Sequence, residues 1–163
     1  MDSTVRNPGE DRILLGVISD THGLLRPEVV PAFSGVDRIL HAGDVGGREV
    51  LAGLSEIAPV VAVRGNTDFG RWAGGLSETE VVAVGSATFY LLHDPAALDL
   101  SPGAAGFQAV VFGHTHRPKI REDGGVWYLN PGSAGPRRFD YPVTVALVEV
   151  EGTRLRPRIV PLL

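Results

Sequence analysis

Short, uninterrupted apolar runs are the feature that most constrains the fold of this chain. Ile13–Ile18 and Ala109–Phe112 are two such runs, and neither contains a polar side chain. A run of this length is typical of a β-strand that is buried on both faces, because both alternating sets of side chains must then be apolar. We therefore expect the chain to be built around buried strands.

The first half of the chain alternates such strands with helical segments. Apolar residues recur at helical spacing between Arg48 and Ile57, which predicts an amphipathic helix. The predicted strands of this half are Ile13–Ile18, Arg38–His41 and Val60–Val63, and the predicted helices are Arg26–Phe33 and Arg48–Ile57.

The second half has the pattern of mostly antiparallel strands joined by glycine-containing turns. Gly85-Ser86 separates two apolar runs and predicts a tight hairpin. The predicted strands are Glu80–Val84, Ala87–Leu92 and Ala109–Phe112, with further runs around Pro118–Arg121, Val126–Leu129, Val143–Val150 and Arg154–Val160. This number of strands favours an α/β protein with two packed sheets and helices outside them.

Length and composition indicate an ordinary soluble globular protein with one domain. We expect a polar, flexible leader over residues 1–11 and a single domain over residues 12–163. No stretch approaches the roughly 20 apolar residues of a membrane span, so a cytoplasmic location is the default expectation. A net charge of −4 argues against bulk binding of nucleic acid.

Side chains that bind metals follow the ends of the predicted strands. The chain has no cysteine, so any metal must be held by imidazole, carboxylate or amide groups. The candidates are Asp20, His22, Asp44, Asn66, His93, His114 and His116. The intervals Asp20–Asp44 and Asp44–Asn66 are 24 and 22 residues, which fits strand–helix–strand crossovers between parallel strands. Parallel strands place their carboxyl ends at one sheet edge, so Asp20, Asp44 and Asn66 should converge although they are far apart in sequence.

Each candidate alone also fits an ordinary structural role. Gly43-Asp44 and Gly65-Asn66 resemble turns or helix caps, and His93 alone is typical of a histidine at a sheet edge. The complete set favours a site for two divalent cations, with Asp44 bridging them because a carboxylate has two oxygens. His41 lies within a strand, and we interpret it as a core histidine or one that supports the ligands.

The motif series resembles that of the calcineurin-like metallophosphoesterases, and in particular their YfcE-like phosphodiesterase subfamily. The matching segments are Asp20-Thr21-His22, Gly43-Asp44, Gly65-Asn66-Thr67-Asp68, His93, Gly113-His114-Thr115-His116 and Asn130-Pro131-Gly132-Ser133. The resemblance implies a four-layer α/β/β/α sandwich of two mixed β-sheets with a dinuclear site at the sheet edges.

The resemblance also implies the ligand sets and the reaction. Asp20, His22, Asp44 and His116 would hold one metal, and Asp44, Asn66, His93 and His114 the other. The catalytic residues would be Asp44, Asn66 and His93. A metal-bridging hydroxide would then hydrolyse small phosphate diesters or monoesters, with manganese the expected metal and nickel, iron, zinc or magnesium as alternatives.

Two positions depart from the family pattern. Thr67 stands where many relatives have a histidine, or in this subfamily a cysteine, that protonates the leaving group. A threonine hydroxyl is not a general acid near neutral pH, so we expect a preference for easy leaving groups. Asp68 remains from the motif, and without a histidine partner we expect it to serve only as a local hydrogen-bond anchor. Asp94-Pro95 follows His93 where relatives commonly continue with Gly-His. Thr67 and Arg137 are the candidate substrate contacts, and Asn130–Ser133 is expected to form a rigid turn at the rim of the site.

Alternatives to a phosphoesterase remain at this stage. A non-catalytic scaffold that binds metal or protein is one, because the fold resembles that of a retromer subunit and Thr67 replaces the usual acid. A nuclease of the same superfamily is another, although the acidic balance leaves little surface for a duplex. The resemblance to small relatives also leaves a homodimer open.

Overall fold

The computed structural model describes residues 12–163, so the predicted leader over residues 1–11 lies outside the described residues. The strands are β1 (Ile13–Ile18), β2 (Arg38–His41), β3 (Val60–Ala62), β4 (Thr79–Val84), β5 (Ala87–Leu92), β6 (Ala109–Val111), β7 (Lys119–Asp123), β8 (Val126–Asn130), β9 (Thr144–Glu151) and β10 (Arg154–Pro161). The α-helices are α1 (Val29–Ala32) and α2 (Arg48–Ser55). Each predicted strand is present within two residues of its expected ends.

The first sheet contains the three strands of the β-α-β-α-β half. Its strand order is β10-β9-β1-β2-β3, and β1, β2 and β3 are parallel. Strands β9 and β10 continue the sheet in antiparallel orientation on the other side of β1. The carboxyl ends of β1, β2 and β3 therefore share one edge, as the crossover spacing predicted.

The second sheet has a parallel centre that the turn pattern did not reveal. Its order is β4-β5-β6-β8-β7, with β5, β6 and β8 parallel and the edge strands β4 and β7 antiparallel. The two hairpins, β4-β5 and β7-β8, were recognisable from their glycine turns. The β5-β6 pairing requires a crossover, which the irregular segment 93–108 supplies without an α-helix.

The two sheets pack face to face around a common apolar core. Leu15, Leu40, Phe89 and Val111 are buried together between them. A second apolar layer lies between the first sheet and the helices, where Phe33 of the turn after α1 and Leu54 of α2 are fully buried. The expected α/β sandwich of two mixed sheets is confirmed.

The outer face of the second sheet is covered in a different way. Tyr90, Val110 and Phe112 on this face pack against Leu98 and Phe107. The covering segment contains a single 3₁₀ turn, at Pro95–Ala97, and otherwise has no regular structure. Its apolar side chains replace the helix layer that the resemblance implied.

Helix α1 is shorter than the predicted Arg26–Phe33, and its prolines explain the difference. Val29 and Val30 donate to the carbonyls of Arg26 and Pro27, three residues back, so this segment begins as tight turns. Pro31 has no N–H and cannot donate to the carbonyl four residues earlier. Within residues 12–163, neither α-helix is long and apolar enough to span a membrane.

Candidate metal centre

All seven predicted ligands lie immediately after strands, and the two sheets contribute them jointly. The first sheet supplies Asp20 and His22 after β1, Asp44 after β2 and Asn66 after β3, whereas the second sheet supplies His93 after β5 and His114 and His116 after β6. The parallel centre of the second sheet explains why these histidines share an edge. The site therefore forms where the carboxyl ends of both sheets meet.

The backbone at these strand ends is strained. Five of the six non-glycine residues with positive φ among residues 12–163 belong to the predicted ligand set: Asp20 (56°), His22 (47°), Asp44 (53°), His114 (73°) and His116 (64°). This conformation costs roughly 1–2 kcal/mol for each non-glycine residue. Strain of this kind concentrates at functional sites because the surrounding structure holds side chains where the chemistry needs them.

Two glycines allow the strand ends to approach the carboxylates. A Cβ atom at Gly65 would overlap the side chain of Asp44. A Cβ atom at Gly113 would overlap Ser19 Oγ and lie 2.6 Å from Asp20 Oδ2. Glycine is therefore required at both positions for the observed packing.

One tight group of ligand atoms forms around Asp20. The ligand atoms of Asp20, His22 and His116 all lie within 4.8 Å of one another. His116 Nε2 is 3.2 Å and His22 Nε2 is 3.7 Å from Asp20 Oδ1. The other oxygen of Asp20 accepts hydrogen bonds from Ser19 Oγ and from the backbone N–H of His114.

A second tight group joins Asp20 to Asp44 and His93. His93 Nε2 lies 3.2 Å from Asp44 Oδ2 and 3.8 Å from Asp20 Oδ1. His22 Nε2 is 3.8 Å from the same oxygen of Asp44. Both carboxylates therefore lie between the histidines of the two sheets, and the two tight groups share Asp20.

Asn66 and His114 lie at the margin of this arrangement. Both are exposed, and His114 belongs to neither of the two tight groups. The His114 ring packs edge-on against His93 at 5.2 Å, and Asn66 lines the same cleft as His93. The structure thus brings five predicted ligands into direct proximity and places the other two beside them.

Three buried polar atoms of the ligand residues have no hydrogen-bond partner. They are Asp20 Oδ1, His93 Nε2 and His116 Nδ1. His93 Nδ1 donates to the carbonyl of Ala42 at 2.8 Å, so in the neutral ring Nε2 has only a lone pair to direct at the carboxylates. Acceptors that face one another in a buried space are stabilised by a cation between them. The residues present therefore fit a divalent metal.

The electrostatics of the centre keep its carboxylates ionised. Burial raises the pKa of Asp20, but its contacts with His116 and His22 outweigh burial and hold that pKa far below its usual range. Burial likewise opposes ionisation of Asp44, yet His93 and the backbone N–H of Thr67 lower its pKa to about 2. Burial disfavours protonation of His93, but Asp44 and Asp20 raise its pKa overall. Two anionic carboxylates are thus held beside three imidazoles.

Asp68 and Asn130 hold the loops that carry the ligands. Asp68 is buried and accepts from the backbone N–H groups of Val45, Gly46 and Gly65, which confirms its expected role as a hydrogen-bond anchor. Asn130 donates to the carbonyl of Gly113 and to Thr115 Oγ1.

The turn after Asn130 contacts the end of β1. Ser133 Oγ donates to the carbonyl of Asp20, and the N–H of Ala134 donates to the carbonyl of Ser19. The expected turn at Asn130–Ser133 therefore supports the Asp20 segment from the neighbouring sheet.

Two clefts open on the ligand set. One, of about 410 Å³, is lined by Asn66 and His93 together with Arg64, Tyr90 and Asp94. The other, of about 180 Å³, is lined by His114, Thr115, His116, Arg138, Phe139 and Tyr141. No local sequence pattern distinguishes Phe139 or Tyr141.

The two predicted substrate contacts have different positions. Thr67 is exposed, and its backbone N–H donates to Asp44 Oδ1 at 2.9 Å. Arg137 donates to the carbonyl of Tyr141, and it is Arg138 that lines the smaller cleft.

The fold and the donor set define a metal-binding α/β sandwich with its site at the shared edge of two sheets. The profile of the calcineurin-like phosphoesterase superfamily domain matches residues 13–153. The chain belongs to this superfamily and is a phosphoesterase, a hydrolase of phosphate esters.

Individual relatives agree with this assignment. The chain is 36% identical over 161 residues to a probable metallophosphoesterase of Methanothermobacter thermautotrophicus, covering 91% of this chain and 92% of the relative. It is 24% identical to a phosphodiesterase of Methanocaldococcus jannaschii, covering 87% and 96%. Wild-type Vps29 of Entamoeba histolytica, solved in complex with Zn²⁺, superposes with a TM-score of 0.71 at 26% identity, covering 93% and 100%.

Proposed function

We propose that this protein is a metal-dependent phosphodiesterase that hydrolyses small phosphate diesters at a site for two divalent cations. The observation that carries the proposal is the pair of buried, unpartnered acceptors Asp20 Oδ1 and His93 Nε2, which face the same space from different sheets. The likeness to a phosphodiesterase of M. jannaschii supports the same reaction class.

The proposed ligand sets follow the two sides of the carboxylate pair. Asp20, His22, Asp44 and His116 hold one cation, and Asp44, Asn66, His93 and His114 hold the other. The position of Asp44 Oδ2 between His22 and His93 supports its shared role. Nitrogen and oxygen donors of this kind accept several ions, and we propose manganese, with nickel, iron, zinc or magnesium able to replace it.

When bound by these residues, two divalent cations would supply an activated water for attack on phosphorus and would neutralise charge on the phosphate. The protein residues position and orient the reacting groups. The Thr67 N–H fixes one oxygen of Asp44 and leaves the other directed at the centre. Ser19 and the His114 N–H fix Asp20 in the same way.

We expect a diester to suit the site better than a monoester, because two clefts are lined by different members of the ligand set. One cleft includes Asn66 and His93, and the other includes His114 and His116. A phosphate held at the centre can direct one substituent into each cleft. Because Thr67 provides no acid for the leaving group, substrates with stable leaving groups should react fastest.

The test is hydrolysis of bis-p-nitrophenyl phosphate and p-nitrophenyl phosphate after chelation and after re-addition of manganese, nickel, zinc or magnesium. We expect activity only with metal, a preference for the diester, and a loss of at least roughly 100-fold in Asp44→Asn. Asp123→Asn is the matched control, because Asp123 is exposed in the β7-β8 hairpin. Inactivity of the purified chain with every metal would refute the proposal, and unchanged activity in Asp44→Asn would refute the role of Asp44.

A non-catalytic scaffold is the second candidate, and it is favoured by the structural likeness to Vps29 and by Thr67. A scaffold could retain metal without turnover. Metal content near two ions per chain together with no hydrolysis of either ester would support this candidate. Metal-dependent turnover that Asp44→Asn abolishes would exclude it.

A further inference from the structure

Phe139 has two features that are unfavourable for folding. Its φ is +53°, a conformation that side chains with a Cβ rarely adopt. Its ring is also 84% exposed, the largest exposure among the large apolar side chains of residues 12–163. The other five non-glycine residues with positive φ in this part of the chain all belong to the metal-ligand set. Strain of this kind points to a functional position.

The position of Phe139 connects it to the metal centre. Phe139, Tyr141 and Arg138 line the cleft of about 180 Å³ together with His114 and His116. An aromatic ring and a guanidinium group therefore border the same space as two proposed ligands. This combination suits a ligand that has both a flat apolar group and a negative charge.

A hydrogen-bonded neighbour, Tyr141, packs against the Phe139 ring. The Phe139 ring packs edge-on against Tyr141 with centroids 5.6 Å apart. Tyr141 Oη accepts hydrogen bonds from Arg117 Nε at 2.9 Å and Arg117 Nη2 at 2.7 Å. Tyr141 is thus fixed to the segment that follows His116, and its ring supports Phe139, which is still 84% exposed.

We propose that Phe139 is a stacking platform for an aromatic substituent of the substrate, so that the preferred substrates are aryl or nucleoside phosphodiesters. This inference rests on the proposed function and adds the substrate class. An aromatic substituent of the phosphate in the metal centre would lie against the exposed ring of Phe139. The ring would then improve binding through stacking and through burial of apolar surface on both partners.

The first experiment measures binding without turnover. Phenylphosphonate and methylphosphonate have the same charge, contain a P–C bond that a phosphoesterase does not hydrolyse, and differ by the flat ring. Calorimetric titration of the manganese-loaded protein should give a dissociation constant roughly tenfold lower for phenylphosphonate. Phe139→Ala should remove that difference and leave methylphosphonate binding unchanged, whereas Phe139→Trp should retain it.

Phe69→Ala is the matched control. Phe69 is also a highly exposed phenylalanine, at 75%, and it lines neither of the two clefts at the metal centre. Its replacement should leave the preference for phenylphosphonate intact. Equal loss of the preference in Phe69→Ala and Phe139→Ala would overturn the inference.

The second experiment separates a binding role from a structural one. Phe139→Gly removes the ring and also relieves the strained φ, so its melting temperature should equal or exceed that of the wild type while the preference for phenylphosphonate disappears. A lower melting temperature together with weaker binding of both phosphonates would show that Phe139 serves the fold, and the inference would fail.

The outcomes also distinguish this inference from the proposed function. Metal-dependent hydrolysis with equal affinity for the two phosphonates would leave the phosphodiesterase intact and overturn the role of Phe139. No hydrolysis and no phosphonate binding with any metal would overturn both.

Discussion

At the residue scale, His41 shows how a buried ring supports the loop that carries Asp44. It is fully buried, and its Nδ1 accepts from the backbone N–H of Gly43 at 3.1 Å. The neutral ring therefore has its proton on Nε2, which lies 3.0 Å from Thr21 Oγ1, and that hydroxyl donates to the carbonyl of Val45. A second proton on His41 would face the Gly43 N–H, so the fold requires the neutral form.

The pH dependence of stability follows from this arrangement. Burial lowers the pKa of His41 from 6.5 to about 4. Between these values the unfolded chain binds the proton and the folded chain does not, so stability falls as the pH falls from 6.5 to 4. The loss approaches about 3 kcal/mol over that interval. Urea unfolding of the metal-free protein at pH 7, 6 and 5 should show this decrease.

Replacement of His41 isolates its contribution. His41→Gln should be less stable than the wild type at pH 7, because the Gly43 N–H loses its acceptor, but its stability should depend less on pH below 6.5. The raised pKa of His93 makes stability increase as the pH falls toward 6.5 from above. This contribution is the same in the wild type and in His41→Gln, so it does not affect their comparison. Identical pH profiles for the two proteins would contradict the assignment.

Thr67 is the other residue whose chemistry predicts a measurable effect. Thr67 is exposed, and its backbone N–H, which holds Asp44, is retained in any substitution, so Thr67→His should preserve the centre. The imidazole would add a proton donor beside the leaving group. We expect hydrolysis of diphenyl phosphate to rise by roughly tenfold or more relative to bis-p-nitrophenyl phosphate, whose leaving group needs no proton. Thr67→Asn, which adds no acid, should leave that ratio unchanged.

At the element scale, the strand ends are packed so closely that a single methyl group should disturb the site. Gly113→Ala would force Ser19 Oγ and the Asp20 carboxylate out of position. We expect a loss of stability of roughly 1–3 kcal/mol and metal affinity at least roughly tenfold weaker, measured by thermal unfolding and by metal titration. Gly75→Ala is the control, since a Cβ there meets no atom within 4 Å. Equal metal affinity in the two variants would be evidence against close packing as the reason for Gly113.

On the scale of the whole molecule, the proposed cations connect the two sheets. The first sheet contributes both carboxylates and the second contributes three of the histidines. Bound metal should therefore stabilise the folded chain as a unit. At about 100 times the dissociation constant, one binding site contributes about 2.7 kcal/mol, which for a chain of this length raises the melting temperature by roughly 5–10 °C.

Thermal unfolding with and without manganese measures this effect. Asp44→Asn should show a much smaller rise in melting temperature with manganese. The substitution replaces the carboxylate that both proposed ligand sets share with a neutral amide. Arg12→Gln provides a control away from the site, since Arg12 is exposed and pairs with Glu151. A melting temperature that does not change with manganese, nickel, zinc or magnesium would contradict a cation bridge between the sheets.

The sequence by itself determined the strands, their ends and the chemistry of the side chains placed there. These properties are local: an apolar run specifies a buried strand, and the Asp, Asn or His that follows it is fixed by covalent connection. The crossover spacing also predicted that Asp20, Asp44 and Asn66 share an edge, because parallel neighbours leave few alternatives. The motif series then identified the family and the role of Asp68 as an anchor.

Only the tertiary structure decided how the second sheet joins that edge and what surrounds the centre. The parallel β5-β6-β8 arrangement depends on packing between segments that local patterns do not couple, since an irregular crossover resembles any other loop. The unpartnered atoms of Asp20 and His93 belong to different sheets and are 73 residues apart in sequence, yet they lie close together. Phe139 lies in a loop whose sequence has no periodicity. Such distances depend on the packing of the whole molecule, so the order of residues could indicate the ligands but not the cleft that selects a substrate.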